Sequence, residues 1–572
     1  MKVLGVSVGH DSNACLIEDG EIVRYISEER FTRRKVSVGG AFDSMKYCLD
    51  GMSIKDVDSV AVSSGLVNEV YQHFMFGLQQ EKVKKFTALT LPHGFHREVV
   101  KIVDHHKCHA ASAYFTSGFD DALIFTSDGI GEKTSHLVSL GEGGNIKPIY
   151  RILSGEITHL NEHGITIEKK YKKKGMFSFG FFYGMVTEAL GWYMAMDEGK
   201  TMGLAPYGDP DAIPETEIRK YMFKDVPSSF YNNYGRIHYH FDGANDYARL
   251  AREYGRENLA AAAQKKLEDR VCRFIAKWLK KTGKKNLCTA GGIFLNVKLN
   301  QRIQSEFDVK YWPFPLSSDS GLSIGAAMLT YYETNKYNPN RMTHLYYGSE
   351  FKNTEIESVL VRNKLNYCKL DLKEIAKDLT DNKIVAWFQG RMEGGPRALG
   401  NRSILMSPLK ACNKDILNNR VKFREGFRPF CPSVTEESAC DYFDGGTPFM
   451  ITSCNVKSKA IPAVTHVDNT ARPQIVSKKT NPRFHALLKA FGNMSGVPVL
   501  LNTSLNIMGE PIIRTPDEAI RCFYGTGIDV LVIGDYVLRK GEINESKLRG
   551  SCLQEVTPDI QEVPEIVKNS VL

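Results

Sequence analysis

Two histidines four residues apart, His105 and His109 in the run DHHKCHAASAYF, are the first residues in this chain with a chemistry of their own. On a helix, side chains at i and i+4 lie one above the other on one face. Two imidazoles so placed can share one metal ion. A metalloprotease motif needs Glu directly after the first histidine, and this chain has His106 there. Further ligands must come from elsewhere. Asp128 follows the strand-like run ALIFTS, and Asp319 lies among small residues in PLSSDSGLSIGAA. An acid in such a place is a metal- or phosphate-site residue or a turn former. Two histidines with carboxylates, leaving positions open, suit Fe(II) well and Zn or Mn less well.

The second chemistry is anion binding. No G-x-x-x-x-G-K-[ST] loop occurs, so a nucleotide would need another cradle. Glycine loops follow strand-like runs at residues 9–12, 127–131 and 290–296, the last containing Gly291, Gly292 and Asn296. Glycines let backbone N–H groups approach phosphate, though they also simply make turns. A denser signal lies downstream. GRMEGGPRALGNRSIL carries Arg391, Arg397 and Arg402, and VKFREGFRPFCPSV carries Lys422, Arg424 and Arg428. LLNTSLNIMGEPI sets Asn502, Ser504 and Asn506 after a buried strand. Guanidinium forks match phosphate oxygens bidentately. Flanks of glycine, proline and aromatics indicate a built pocket rather than a solvated face.

These groups need elements to hold them. Strand-like runs at 3–8, 14–26 (with a turn at Asp19-Gly20), 59–64, 122–126 and 286–289 alternate with helical patterns such as 257–279. That alternation indicates an α/β domain. A polar stretch with Asn-Pro turns, 335–355, reads as a linker, and further strands at 384–388, 497–501 and 529–533 read as a second α/β domain. The expected division is 1–345 and 355–572. No internal repeat is visible, and the tail after Lys547 reads as irregular.

Composition sets the outer bounds. At 572 residues, 42% apolar and 24% charged, the chain suits a soluble protein of two or three domains. No apolar stretch reaches the roughly 18–20 residues of a membrane helix. The N-terminus reads as a buried strand entering a loop, not as a secretory signal. Twelve cysteines without a Cys-x-x-Cys pair argue against a zinc ribbon or a disulfide framework, and for reduced thiols in a cytoplasmic protein. The net charge of +8 permits an anionic substrate without demanding nucleic acid.

Ten blocks in order resemble the NodU/CmcH/TobZ family of O-carbamoyltransferases: GHDSNACL, EERFTRRK, DHHKCHAA, SDGIGE, GKTMGLAPYG, GGIFLN, SDSGLSIGAA, GPRALGNRSIL, KFREGFRPFCP and NTSLN. They span nearly the whole chain. The resemblance implies an actin-like N-terminal domain similar to the tRNA threonylcarbamoyladenosine transferase, and a YrdC-like C-terminal domain. It implies that the second domain condenses carbamoyl phosphate with ATP, accompanied by Mg, into carbamoyladenylate. The first would then transfer the carbamoyl group to a hydroxyl, with iron and nucleotide bound. By position, His105, His109, Asp128 and Asp319 correspond to metal ligands and His10 to the catalytic histidine. Lys35, Arg397, Lys422, Arg428, Arg472, Asn502 and Ser504 correspond to contacts with ATP and carbamoyl phosphate. Gly291, Gly292 and Asn296 correspond to nucleotide contacts in the first domain. Lys35 belongs to the first domain, so its assignment requires the two domains to face each other.

The acceptor is not written in the sequence. A sugar, natural product or nucleoside fits the resemblance, and a homodimer is compatible with it. Five lysines around Tyr171 in IEKKYKKKGMFSFG also suit the phosphates of DNA carrying a hydroxymethylated base or of a nucleotide-linked sugar, or simply a solvated loop. A tRNA threonylcarbamoyl transferase and a non-catalytic nucleotide-binding scaffold are the rival readings of the same blocks.

Overall fold

The computed structural model describes residues 1–37, 39–63, 100–131, 134–153, 178–220, 229–233, 236–240 and 242–540. The lysine cluster around Tyr171 and the tail after Lys547 lie outside the described residues.

The first half is built on two five-stranded sheets. Lys2–Ser7 is the middle strand of one. Asn13–Glu18 and Glu21–Ser27 extend it antiparallel on one side, and Ser59–Ser63 and Val100–Val103 extend it parallel on the other. Asp19 (φ 50°) and Gly20 (φ 86°) make the tight turn of the hairpin, whose two positive φ values suit its twist. Asp121–Gly131 holds the middle of the second sheet. Thr134–Glu142 and Asn145–Leu153 run antiparallel on one side, and Asn286–Ala290 and Lys310–Pro313 run parallel on the other. The two sheets therefore share one strand order and one set of directions, a repeat that sequence inspection missed. Register and alternating burial hold a topology without demanding identical residues.

Two apolar helices, His105–Phe115 and Leu322–Tyr332, pack between the sheets. Both are buried on nearly every side, as their small and apolar residues require. Their contact is at backbone distance: a Cβ on Gly325 would lie 1.8 Å from the Cys108 carbonyl oxygen. The helix that bears His105 and His109 is thus locked to the helix that begins just after Asp319.

The second half is an eight-stranded mixed sheet with both faces covered. In the central strand Val385–Phe388, Val385 and Trp387 face a cluster with helices Leu372–Thr380 and Pro482–Ser495. Ala386 and Phe388 face the opposite cluster, with helices Asn353–Arg362 and Pro516–Tyr524. Burial on both sides explains the unbroken apolar run IVAWF. The halves are pinned by hydrogen bonds from arginines to carbonyls: Arg30 to Gly395 at 2.6 Å, and Arg33 to Pro511 at 2.8 Å and Ile512 at 2.9 Å. Among the described residues no helix is long and apolar enough to cross a membrane.

Candidate metal centre and anion pocket

His105 and His109 do lie on one helix face, and their Nε2 atoms are 3.1 Å apart. The helix starts at Asp104, whose side chain accepts from the Lys107 amide at 2.8 Å. Asp128 reaches the pair from the middle strand of the second sheet, with Oδ2 3.4 Å from His105 Nε2 and 3.2 Å from His109 Nε2. Asp319 Oδ1 lies 3.4 Å from each ring. The ligand atoms of these four residues all fall within 4.8 Å of one another. Gly131 makes room for them, because a Cβ there would stand 2.3 Å from His105 Cδ2. Burial disfavours the charged forms, but Asp319 and Asp128 outweigh it and hold His105 well above the ordinary histidine range. Burial likewise works against the two carboxylates, and the imidazoles outweigh it and hold both below the usual range.

His106 is not part of this cluster. It accepts from the Thr126 hydroxyl at 2.8 Å and donates to the Thr134 carbonyl at 2.9 Å. Burial and then the neighbouring His105 and His109 hold it neutral. Its role is to bind the helix to the sheet.

A cavity of about 910 Å³ opens beside the cluster. His10 lines it, with a side chain 29% exposed and Nδ1 3.9 Å from Asp11 Oδ2. Asp11 and Glu198 also line it and were missed by sequence reasoning. Asp11 sits at φ 55° near Asp319, and burial pushes its carboxyl up to about 6. Burial pushes Glu198 up to about 7, against the lowering influence of its own and the Ala195 backbone amides. Asp11 stood inside the block GHDSNACL and Glu198 directly before the block GKTMGLAPYG, and an acid beside a histidine or at the edge of a glycine-rich run was the available signal.

The same cavity is lined from the second half by Arg397, Arg424, Arg428, Arg472, Asn502 and Ser504. Lys35 faces them from the first half; burial lowers its ammonium, as does the nearby Arg428, while Glu29 opposes this. The two halves therefore meet over one space, as the assignment of Lys35 requires. Burial and then Arg472 push Arg397 down to about 9. Burial and then Arg428 push Arg424 down to about 9. Asn502 is 1% exposed and donates to Ser433 Oγ at 2.9 Å.

Not every predicted residue reaches the cavity wall. Lys422 is 5% exposed, and its ammonium donates to the Ser504 carbonyl at 2.5 Å and to Asn506 Oδ1 at 2.7 Å. It thereby braces the loop that presents Ser504. Arg391 and Arg402, grouped with Arg397 as pocket cations on their flanks, have their forks on carbonyls. Arg391 donates to Val23 and Tyr347 at 2.8 Å each, and Arg402 to Gln389 at 2.6 Å and Ser349 at 3.1 Å. These two arginines build the wall, with their forks already engaged. Gly292 and Asn296 line the cavity, and Gly291 (φ 98°) turns the chain just before them. The Asn296 side chain is also tied to Gln264, at 2.9 and 3.0 Å.

Residues 2–85 and 61–328 match the carbamoyltransferase N-terminus, and residues 376–540 match the carbamoyltransferase C-terminus. The chain belongs to the carbamoyltransferase family. This carbamoyltransferase is 33% identical to an uncharacterized Synechocystis protein over 94% of this chain and 96% of that one. It is 32% identical to the nodulation protein NolNO of Sinorhizobium fredii over 93% of this chain and 79% of that one. An uncharacterized Methanocaldococcus jannaschii protein is also 32% identical, over 94% and 99% of the two chains. Among solved structures, a phosphate- and nucleotide-bound HypF overlaps 58% of this carbamoyltransferase and 55% of its own chain, with TM-score 0.30 and 13% identity.

Proposed function

We propose that this carbamoyltransferase makes carbamoyladenylate from carbamoyl phosphate and ATP at the arginine-lined wall, then passes the carbamoyl group to an acceptor hydroxyl beside His10. The first half is read as actin-like on its two matching sheets, and the second as YrdC-like. One observation carries the reading: a single cavity of about 910 Å³ is lined by Arg397, Arg428 and Arg472 and also by His10, Asp128 and Asp319. An activated carbamoyl group is lost to water if released, so a shared cavity suits a two-step transfer.

The cations do the work of the first step. Arg397, Arg428 and Arg472, with Lys35 opposite, neutralise phosphate oxygens that would otherwise repel, and Asn502 and Ser504 supply polar contacts. In the second step His10 takes the proton of the acceptor hydroxyl as its oxygen bonds to the carbamoyl carbon and AMP leaves. The four convergent donors fit a divalent ion, Fe(II) foremost and Zn or Mn otherwise, which would polarise the carbamoyl oxygen as a Lewis acid. Gly292 and Asn296 suit a nucleotide on the first-half side.

The test is incubation with ATP, carbamoyl phosphate and Fe(II), with carbamoyladenylate followed by mass spectrometry. Absence of the adenylate would overturn the first step. His10→Gln should leave adenylate formation intact while transfer to an acceptor falls about 10²–10⁴-fold, the usual worth of a general base. Equal loss of both steps would remove His10 from that role.

A further inference from the structure

The arginine pocket contains a sulfur that the reaction above does not use. Cys431 starts the strand Cys431–Thr435, is 7% exposed and lines the cavity. Arg472 aims its fork at Cys431 Sγ, with Nε at 3.2 Å and Nη2 at 3.0 Å. Arg397 and Arg424 also stand within electrostatic reach of Cys431. Across the strand ladder Cys431 is opposite Asn502, a residue 1% exposed whose Oδ1 has no hydrogen-bond partner. Arg397 Nε, at the same wall, is also without one. The neighbourhood thus offers one free acceptor and several N–H donors around a thiol that cavity solutes can reach.

Cys15, Cys272, Cys288, Cys454 and Cys522 are also buried. Burial pushes Cys272, Cys288 and Cys454 up to about 12 and Cys522 up to about 11, and raises Cys15 well above the ordinary thiol range. Such thiols are inert packing groups. Cys368, Cys412 and Cys440 are exposed on the surface.

We propose that Cys431 is a covalent modification site for small peroxides, and that its oxidation closes the anion pocket. The sulfur attacks one oxygen of hydrogen peroxide; an S–O bond forms and the O–O bond breaks. The departing hydroxide takes the thiol proton and leaves as water, so the thiol is oxidised to a sulfenic acid and the peroxide is reduced. Guanidinium groups around the sulfur stabilise the negative charge that builds on the departing oxygen as the O–O bond breaks. The new oxygen then occupies the donors of Arg472 that a phosphate would take. This consequence rests on the reading of the pocket as the phosphate site.

The experiment treats the full-length protein with hydrogen peroxide, traps sulfenic acid with dimedone and maps labelled peptides by mass spectrometry. Cys431 should label faster than Cys272 and Cys288, and ATP with carbamoyl phosphate should slow that labelling about tenfold or more, as expected of a thiol beneath bound anions. Inorganic phosphate alone should protect more weakly. In a Cys431→Ser variant, peroxide should no longer lower the rate relative to that variant's own untreated rate. Label confined to Cys368, Cys412 and Cys440, or label at Cys431 indifferent to the anions, overturns the proposal. Labelling does not depend on turnover. A protein that makes no adenylate yet shows anion-protected Cys431 would sink the activation reading and leave the modification site standing.

Discussion

Arg397→Ala is expected to lower carbamoyladenylate formation about 10²–10³-fold, the usual cost of removing one preorganised donor from developing charge. The same substitution should leave the ligand-free protein as stable as before, or more so. Arg397 lines the cavity, and burial and then Arg472 push it down to about 9. A cation whose folded pKa lies below its unfolded value opposes folding wherever it stays charged, which here includes neutral pH. Few acids offset it: the nearest ion pair in the group is a loose one between Arg428 and Glu425 at 3.5 Å, and Glu425 is shared with Lys200 at 3.2 Å. A bound phosphate relieves the repulsion. Wild type should therefore melt higher when inorganic phosphate is added, and Arg397→Ala should lose most of that rise. Thermal melts with and without phosphate check this beside the adenylate assay. A variant that melts lower without ligand and keeps the phosphate response would show that Arg397 is a structural residue like Arg402.

That comparison marks where sequence and structure part. Arg397 and Arg402 stand five positions apart in one run with similar flanks. Their difference is the direction of the fork, toward the cavity in one case and onto carbonyls in the other. Composition carries no such direction. Spacing does carry it on a regular element, which is why His105 and His109 were legible as a pair on one helix face. Asp128 and Asp319 were legible as acids after strand-like runs, but their convergence depends on sheet order and on the Gly325 contact between two helices. The Asp19-Gly20 hairpin was local and visible. The matching of the two sheets was not, because equivalent strands are related by register rather than by residue identity. Asp11 went unread within the glycine loop 9–12 because only the fold brings its carboxyl toward Asp319 and Glu29.

The second large effect concerns the four convergent ligands. Loading with Fe(II) should release protons, and the affinity should fall about tenfold for each unit the pH is lowered wherever one proton is displaced. The direction follows from the cluster itself. His105 is held protonated above its ordinary range because Asp319 and Asp128 outweigh the burial that lowers it. A metal needs that imidazole neutral, so below the raised pKa the proton competes and binding strengthens as pH rises. Calorimetry in two buffers of different ionisation enthalpy counts the protons released. His109→Ala removes one of four donors and leaves His105 with Asp128 at 3.4 Å and Asp319 at 3.4 Å. Loss of a direct ligand should cost at least the roughly 10–100-fold typical of disturbing an outer-shell partner. Metal content measured on the purified variant should drop accordingly, and carbamoyl transfer with it. Adenylate formation should persist, because Arg397, Arg428 and Arg472 belong to the other half. Loss of both steps together would mean that the cluster holds the shared cavity in shape rather than serving the transfer step alone.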